Sequence, residues 1–487
     1  MVKYDEYTSV LSIAQHKEVD SKSLLTFTTD FLTKNNIEFN KIYDFNTNVY
    51  YEDFVKIRTL QNDKLSLEDL NIYDSRYYNS DWSRENVNEY LFASVGLDKE
   101  TRSRHFNSFI NNKLSVGVLE PGVVESHFPT FEWNRKYGNG IWWRNEWFFN
   151  EKHTRHSTQV SELIAGKKGI MPTLGIVSVQ VAINWNGISG EMNYLLRHTN
   201  IVNNSWSLGF IKKLRKVDPQ MLKYNWLSKY LDDLIYNNKE LINIVAASNY
   251  YDYGLKTLFS NGLSRNSIIV GATANENLEK KSYYSQIGND LNYVSVVTPG
   301  GNYWFSDRTQ YYDEDGNLVT AGYNNNGTSF SAPVVTAIAG MLKQKYPHKF
   351  DLGSDSIIFK SALITGSRKP AGVNSIYTAE TGYEIPQYNK IEEAMQSLIV
   401  IKNINKNNPP YLNSRRVYFN KGDKIRASLV FLHDRLGDKT DIDFKIKSQS
   451  WYQLAISNFG SRNVEVIEFT APSDGYYTLE AYPYKME

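Results

Sequence analysis

The sequence contains no cysteine, so disulfide bonds, thiolate metal sites and a cysteine nucleophile are all excluded. Net charge is nearly absent too, because 54 lysines and arginines stand against 53 aspartates and glutamates, which leaves a formal charge of +1. This balance gives no overall field that would favour nucleic acid or anionic lipid over a neutral partner. Nucleic-acid binding would need a local basic patch, and the sequence has none.

Long apolar runs are also missing. No stretch approaches the roughly 18 consecutive apolar residues that a membrane-spanning helix needs. The first residues, MVKYDEYTSVLSIAQ, lack the basic segment and apolar run of a signal peptide. We therefore expect no membrane span, and the sequence as written shows no signal peptide. What is present is a globular composition, 41% apolar and 22% charged over 487 residues, enough for about three domains.

The first two parts of the chain differ in pattern. An amphipathic stretch, SLLTFTTDFLTKN, and an aromatic strand candidate, NVYYEDF, predict a small α/β domain over residues 1–80. From about Lys113 onwards, short apolar runs such as SVGVLE, GIVSVQVAI and LINIVAAS alternate with helix-like segments. A parallel sheet covered on both faces requires runs of this length and β-branched content. We predict a doubly wound, mostly parallel α/β domain over residues 81–398.

The pattern changes again after Gln396, at the linker-like segment IKNINKNNPPYLN. The segments that follow, among them KIRASLVFLH, DIDFKIKS and GYYTLEAYPY, alternate in polarity and are separated by turn signals such as NKGD and PSDG. This spacing predicts a jelly-roll-like β-sandwich over residues 399–487.

The strongest chemical signal is the string GTSFSAP, from Gly327 to Pro333, which leads directly into an apolar helix. A serine at the positive end of a helix with proline in its first turn stands where an alkoxide would be stabilised. Taken alone, Ser329 could equally be an N-cap, the commonest role of serine in such a place. The full string resembles the nucleophile motif of subtilisin-like serine proteases, G-T-S-x-[SA]-x-P, which implies that Ser329 is a nucleophile.

A nucleophilic serine needs a base. The segment HSTQVSELIAG, which begins at His156, is similar to the same family's H-G-T-x-V-x-x-x-x-A-G segment, with Ser157 in place of the usual glycine. His153 is a competing candidate, but only His156 has the threonine, valine and Ala-Gly pair at matching distances. The resemblance implies that His156 is the general base.

The third member departs from the family pattern. The family's first strand ends in an aspartate followed by serine or threonine, whereas SVGVLEPG places Glu120 and Pro121 there. Glutamate can orient and stabilise an imidazole, and Ser-His-Glu arrangements occur in other hydrolases. The alternative is that the acid site is degenerate, which would make the chain a catalytically impaired binding module on the same fold.

Two further matches concern the substrate. Asn249, at the end of INIVAASN, resembles the family's asparagine that donates to the oxyanion, with the backbone N–H of Ser329 as second donor. The string NNSWSLG resembles the strand that pairs with an extended peptide and forms one wall of the specificity pocket. Because the match is ambiguous by two positions, the candidate substrate-binding residues are Ser205, Trp206, Ser207, Leu208 and Gly209.

Two segments leave alternatives open. The aromatic block around Trp142, Trp143, Trp147, Phe148 and Phe149 suits a hairpin packed on the core or a rim that grips a partner. The acids Asp434, Asp438, Asp441 and Asp443 could hold structural calcium, but their spacing is not that of an EF-hand loop and favours a solvated acidic turn. The predicted reaction needs no cofactor.

The resemblance to subtilisin-like proteases covers residues 81–398 and, more faintly, makes residues 1–80 similar to the family's inhibitory propeptide. It implies a serine endopeptidase with a protein or peptide substrate, secreted or at the cell surface. The composition resembles that of mycoplasma proteins, and mycoplasmas have proteases of this kind that act on host immunoglobulin. Immunoglobulin is thus a candidate substrate, and an accessory protein that presents the substrate is a candidate partner.

Overall fold

A computed structural model of the chain describes residues 8–15, 43–44, 49–50, 82–110, 112–144, 152–182, 185–211, 216–275, 277–289, 292–305, 311–312, 318–319, 326–433 and 440–486. Several predicted features lie outside these ranges: the amphipathic stretch, most of the first strand candidate, Trp147, Phe148, Phe149, Asp434 and Asp438. Among the described residues, no helix is long and apolar enough to cross a membrane.

The chain divides into two compact units, one of His16–Ser83 and one of Met1–Gln15 with Arg84–Glu487. The smaller unit contains two short antiparallel strands, β2 (Tyr43–Asp44) and β3 (Val49–Tyr50). Strand β1 (Thr8–Gln15) belongs to the larger unit. The predicted domain boundaries at residues 80 and 398 stay a prediction.

The centre of the larger unit is a seven-stranded parallel sheet in the order β12-β11-β10-β7-β4-β6-β5. Its strands are β4 (Ser115–Glu120), β5 (Ile141–Trp143), β6 (Gly175–Gln180), β7 (Ile201–Asn204), β10 (Ile242–Ala246), β11 (Ile268–Thr273) and β12 (Val296–Pro299). Six of these seven are buried along almost their whole length, because helices cover both faces. The predicted doubly wound α/β fold is confirmed.

The α-helices of the described residues lie before, between and after these strands. They are α1 (Trp82–Ala93), α2 (Lys99–Phe109), α3 (Glu132–Tyr137), α4 (Arg155–Ala165), α5 (Trp185–Leu196), α6 (Trp226–Asn237), α7 (Thr328–Lys345), α8 (Pro347–Phe350), α9 (Asp355–Thr365) and α10 (Tyr388–Gln396). Short two-residue strands form three further pairs: β8 (Phe210–Ile211) with β9 (Lys216–Val217), β13 (Tyr311–Tyr312) with β14 (Leu318–Val319), and β15 (Ser367–Arg368) with β16 (Ile385–Pro386). Helix α7 is buried along almost its whole length, and Pro333 lies in its second turn and not in the first turn that the sequence predicts.

The end of the chain forms two antiparallel sheets, in the orders β17-β1-β19-β22 and β18-β23-β20-β21. Their strands are β17 (Ile399–Lys402), β18 (Ser414–Phe419), β19 (Lys424–Phe431), β20 (Asp441–Lys447), β21 (Gln453–Ser457), β22 (Val464–Thr470) and β23 (Gly475–Lys485). Leu429, Phe444 and Leu479 belong to the apolar core that both sheets share. The predicted β-sandwich is confirmed, and strand β1 takes a place inside it, between β17 and β19.

A buried ion pair links the sandwich to the α/β part. Arg426 of β19 lies 3.2 Å from the carboxylate of Glu384, which precedes β16, and 2.9 Å from that of Glu468. A second guanidinium nitrogen of Arg426 donates to the carbonyl of Tyr383 at 3.1 Å. Burial raises the pKa of Glu384 to about 7, although the charge of Arg426 opposes that rise.

Candidate active site

The predicted site residues meet at the carboxyl edge of the parallel sheet. Glu120 ends β4, Ser205 comes directly after β7, and Asn249 follows β10 by three residues. The amino end of α7, which carries Ser329, reaches the same edge. Ligands of open α/β sheets bind at this edge, because the loops and helix amino ends gather there.

Glu120 and His156 are in direct contact. Oε2 of Glu120 lies 3.0 Å from Nδ1 of His156, and the Glu120 side chain is fully buried. The other carboxylate oxygen accepts the N–H of Ser205 at 3.0 Å and the amide of Asn203 at 3.5 Å. In the described part of the chain, neither Oε2 nor Nδ1 bonds to any other group. The longer acid is therefore held at one oxygen and presents the other to the imidazole.

The environment of His156 acts on its charge in two directions. Burial lowers the pKa of the ring, while the charge of Glu120 and the contact with it raise the pKa, and the net pKa lies above 6.5. The ring is 38% exposed and lies 5.7 Å from the ring of Phe330. His156 is the second residue of α4, and the neighbouring Ser157 fixes this helix to the loop after β4 by donating to the carbonyl of Gly122 at 2.6 Å.

Ser329 is the second residue of α7 and is 8% exposed. The N-cap of α7 is Gly327, so Ser329 does not occupy the capping position. The Ser329 hydroxyl donates to the carbonyl of Ser205 at 3.1 Å, and the Ser205 hydroxyl donates to the carbonyl of Ser329 at 2.9 Å. Among the described residues, no hydrogen bond joins Ser329 Oγ to His156. In unliganded enzymes such bonds are often long and form only with substrate.

The side-chain amide of Asn249 has a fixed orientation. Its Oδ1 accepts the backbone N–H of Thr328 at 2.7 Å and the hydroxyl of Thr328 at 3.0 Å. Because an N–H can only donate, the amide nitrogen of Asn249 must point the other way. A Cβ on Gly327 would stand 3.0 Å from that nitrogen, so glycine leaves it the room it needs. Ser248, just before, has φ +82°, a strained conformation of the kind found at functional sites.

His153, the competing histidine, lies elsewhere. Its Nδ1 is 2.9 Å from the carbonyl of Val124 and 3.8 Å from the carboxylate of Glu125. Its ring packs edge-on against Trp143 at 5.2 Å. Trp142 and Trp143 belong to strand β5, which pairs in parallel with β6. The rest of the aromatic block lies outside the described residues, so its two alternatives, a hairpin or a partner-binding rim, stay predictions.

The candidate substrate segment is anchored at its first residue. Ser205 contacts both Glu120 and Ser329, which places the start of the segment beside these two residues, and substrate binding by the five residues stays a prediction. Trp206 is buried, while Ser207, Leu208 and Gly209 are half-buried. Gly209 has φ +92°, and its carbonyl accepts the N–H of Asp218 at 2.9 Å.

Two residues at the site were missed by the sequence analysis. Asn203 contacts Glu120 and Ser205 through its amide nitrogen and accepts the hydroxyl of Thr336 at 3.0 Å. Thr328 orients Asn249. A signal for Asn203 was present, because a polar side chain in a buried parallel strand needs polar partners.

Among the described residues, no group of three histidines, aspartates or glutamates is arranged to hold a metal ion. Asp441 and Asp443 lie on β20, and burial raises the pKa of each. Calcium binding at this segment stays a prediction.

A doubly wound sheet with an acid, a histidine and a serine at its carboxyl edge is an arrangement typical of serine hydrolases. The model of the subtilase family matches residues 111–379. The chain therefore belongs to the subtilase family and is a serine endopeptidase that acts on protein or peptide substrates.

The comparison with curated proteins gave no match. Among solved structures, the prenylagaramide maturation protease PagA is 18% identical, with a TM-score of 0.44 over 61% of this chain and 98% of that one. The self-cleaved protease domain of PatA is 15% identical, with a TM-score of 0.42 over 58% and 96%. MycP1, described as a serine protease and essential component of the type VII (ESX-1) secretion system, is 16% identical, with a TM-score of 0.43 over 64% and 90%.

Proposed function

We propose that the chain hydrolyses peptide bonds through a triad of Ser329, His156 and Glu120. The observation that carries this proposal is the 3.0 Å contact between fully buried Glu120 and Nδ1 of His156, at the sheet edge where Ser329 also lies. A buried carboxylate on Nδ1 places the proton there and leaves Nε2 to act as the base. This supports the Glu120 assignment despite its departure from the family pattern.

In the proposed reaction, the Ser329 hydroxyl leaves the carbonyl of Ser205 and turns to Nε2 of His156 when a substrate is bound. His156 takes the proton while Oγ attacks the carbonyl carbon of the substrate. The amide nitrogen of Asn249 and the backbone N–H of Ser329 donate to the oxyanion. His156 then protonates the leaving amine. In the second half of the reaction, His156 takes a proton from the water that attacks the acyl-enzyme and gives it to Oγ of Ser329 as the acyl group leaves.

Glu120 stabilises the imidazolium that forms during attack. Its charge already raises the pKa of the ring in the resting state, against the effect of burial. The N–H of Ser205 holds the far oxygen of Glu120 in place, so this carboxylate need not reorganise as charge develops.

The test is covalent labelling with a fluorophosphonate, followed by mass spectrometry of the digest. We expect one adduct, on Ser329, and no adduct or casein hydrolysis with Ser329→Ala. Ser331→Ala is the matched control, because Ser331 lies in the same helix and its hydroxyl donates to the carbonyl of Thr298 at 3.1 Å. An adduct elsewhere, or casein hydrolysis by Ser329→Ala at the unchanged rate, would refute the proposal. No adduct with the unchanged protein would favour the impaired binding module.

The natural substrate, the compartment and the accessory partner stay predictions: host immunoglobulin, the cell exterior and a protein that presents the substrate. Digestion of purified immunoglobulin beside casein tests the first of these, with Ser329→Ala as control. The proposed reaction uses no cofactor, so a chelator should leave hydrolysis of casein intact. A chelator effect on the thermal midpoint alone would support structural calcium.

A further inference from the structure

The segment Ser205–Gly209 has main-chain groups that point to two sides. In an extended chain, the N–H and C=O of one residue point to one side, and the preceding C=O and following N–H point to the other. The carbonyl of Trp206 accepts the side-chain amide of Asn261 at 2.7 Å, and the N–H of Leu208 donates to the hydroxyl of Ser260 at 3.0 Å. One side of the segment is therefore occupied by the turn that carries Ser260 and Asn261.

The other side of the segment faces away from this turn. In the described part of the chain, neither the N–H nor the C=O of Ser207 makes a hydrogen bond. The carbonyl of Ser205, two residues earlier, faces the same side and accepts the hydroxyl of Ser329. An extended peptide that pairs with this side would have its cleaved bond near Ser205. The third residue of the peptide before the cut would then exchange two hydrogen bonds with Ser207.

The turn itself is rigidly held. Ser260 and Asn261 begin a short 3-10 helix (Ser260–Leu263), and both are fully buried. The carbonyl of Ser260 accepts the side-chain amide of Asn225, the N-cap residue of α6, at 3.2 Å. Ser260 has φ +57°, a left-handed conformation that costs about 1 kcal/mol in a residue other than glycine.

The orientation of the Asn261 amide has one solution. A carbonyl can only accept, so the amide nitrogen must face Trp206. Its Oδ1 is buried and has no hydrogen-bond partner in the described part of the chain. A buried acceptor without a partner is unfavourable, so the turn keeps this asparagine at a cost that its bond to Trp206 offsets.

We infer that Asn261 and Ser260 are positioning residues for substrate: they hold Ser205–Gly209 so that both main-chain groups of Ser207 face an extended peptide bound beside this segment. This inference rests on the proposed function and extends it to residues that do not touch the reacting atoms. Their effect should reach only those substrates that are long enough to pair with Ser207.

The experiment uses a ladder of fluorogenic peptides based on a cleavage site mapped in casein, with one to four residues before the cut. For the unchanged protein, kcat/KM should rise when the third residue is added. In Asn261→Ala the carbonyl of Trp206 loses its donor. We expect the gain in kcat/KM from the third peptide residue to be about tenfold smaller in this variant, which is the effect of one unsatisfied buried group. The rate of fluorophosphonate labelling should stay within about threefold, because the reagent has nothing that pairs with Ser207.

Ser260→Gly is the second variant, since glycine adopts the left-handed conformation freely and only the hydroxyl is lost. It should reduce the same rise. Asn266→Ala is the matched control: Asn266 is also buried, but its side chain bonds to main-chain groups of Asp232 and His433. We expect a lower thermal midpoint for this control with the length dependence intact.

Two outcomes separate this inference from the proposed function. If Asn261→Ala and Ser260→Gly slow all peptides and the labelling equally, their role is structural and the inference fails while the triad stands. If the unchanged protein is not labelled at Ser329, the proposed function itself fails.

Discussion

Glu120 is one methylene group longer than the aspartate of the family motif, and the surrounding structure holds that length at Ser205. Glu120→Gln keeps the shape and removes the charge, so we expect kcat to fall by about two to four orders of magnitude, since an orienting acid can be worth about 10⁴. Glu120→Asp should lie between Gln and the unchanged protein, because a shorter carboxylate cannot hold both Ser205 and His156.

The pH profile gives a second measurement on the same variants. The proposed reaction needs neutral His156, so kcat/KM should rise with pH through the pKa of the ring, which lies above 6.5. Without the Glu120 charge, burial is the main remaining influence and lowers this pKa. The acid limb of Glu120→Gln should therefore move to lower pH. A Gln variant with the kcat and acid limb of the unchanged protein would remove Glu120 from the triad.

Asn249 has one atom with a structural role and one with a proposed catalytic role. Its Oδ1 binds Thr328, while its amide nitrogen is the proposed oxyanion donor. We expect Asn249→Ala and Asn249→Asp both to lower kcat by about 10²- to 10³-fold with little change in KM. Asp keeps an acceptor for Thr328, so its thermal midpoint should stay closer to that of the unchanged protein. If steady-state kinetics showed an unchanged kcat for Asn249→Asp, Asn249 would have a structural role alone.

At the scale of elements, helix α5 secures the loop that follows β6 through Glu191. Both oxygens of its carboxylate accept the N–H of Ala182, at 2.8 and 2.9 Å. Burial raises the pKa of Glu191 to about 7, and the bond from Ala182 and the charge of Arg144 lower it only in part. Tyr230 also lies nearby: burial raises its pKa, and the charge of Glu191 adds to that rise.

This gives a prediction of stability against pH. The pKa of Glu191 in the folded protein is above the ordinary value of 4.5. Its contribution to folding stability is therefore fully present below pH 4.5 and is lost as the pH rises through about 7. The free energy of unfolding of Glu191→Gln should match that of the unchanged protein at pH 5 and exceed it at pH 8 by about 1 to 3 kcal/mol. Thermal melts at both pH values test this, with the exposed Glu132→Gln as control. An equal change of the thermal midpoint with pH in Glu191→Gln and the unchanged protein would contradict this prediction.

What the sequence could predict depends on how local the signal is. Gly327 to Pro333 carries its motif within seven consecutive residues, and buried apolar runs mark the strands that end near Glu120 and Asn249. Asn261 has no such signal, because the carbonyl it supports belongs to Trp206, 55 residues away. The same limit applies to β1, whose partners in the sandwich come about 390 to 420 residues later.

At the scale of the whole molecule, Arg426 and Glu384 join the sandwich to the α/β part. Removing one partner of a buried ion pair typically costs about 3 to 5 kcal/mol. We expect Arg426→Ala to lower the free energy of unfolding by that amount at pH 8. The loss should be smaller at pH 6, because at pH 6 Glu384 takes up a proton and no longer carries a charge. Urea unfolding at both pH values measures the difference.

The control for this prediction removes both charges. Arg426→Met combined with Glu384→Gln should recover most of the stability, since no charge is left buried alone. An equal loss at pH 6 and pH 8 would show that Arg426 acts by packing and not through its charge.

The position of β1 has a consequence for how the chain folds during synthesis. Ser9 pairs with Ile401 on one side and with Phe431 on the other. At ordinary rates of translation, the ribosome needs about 20 to 80 s to make the intervening chain. Throughout that time β1 has two unpaired edges, each open to pairing with another chain. The sandwich can close only after its last strand, β23, has been made, so its folding should be slow and sensitive to chaperones.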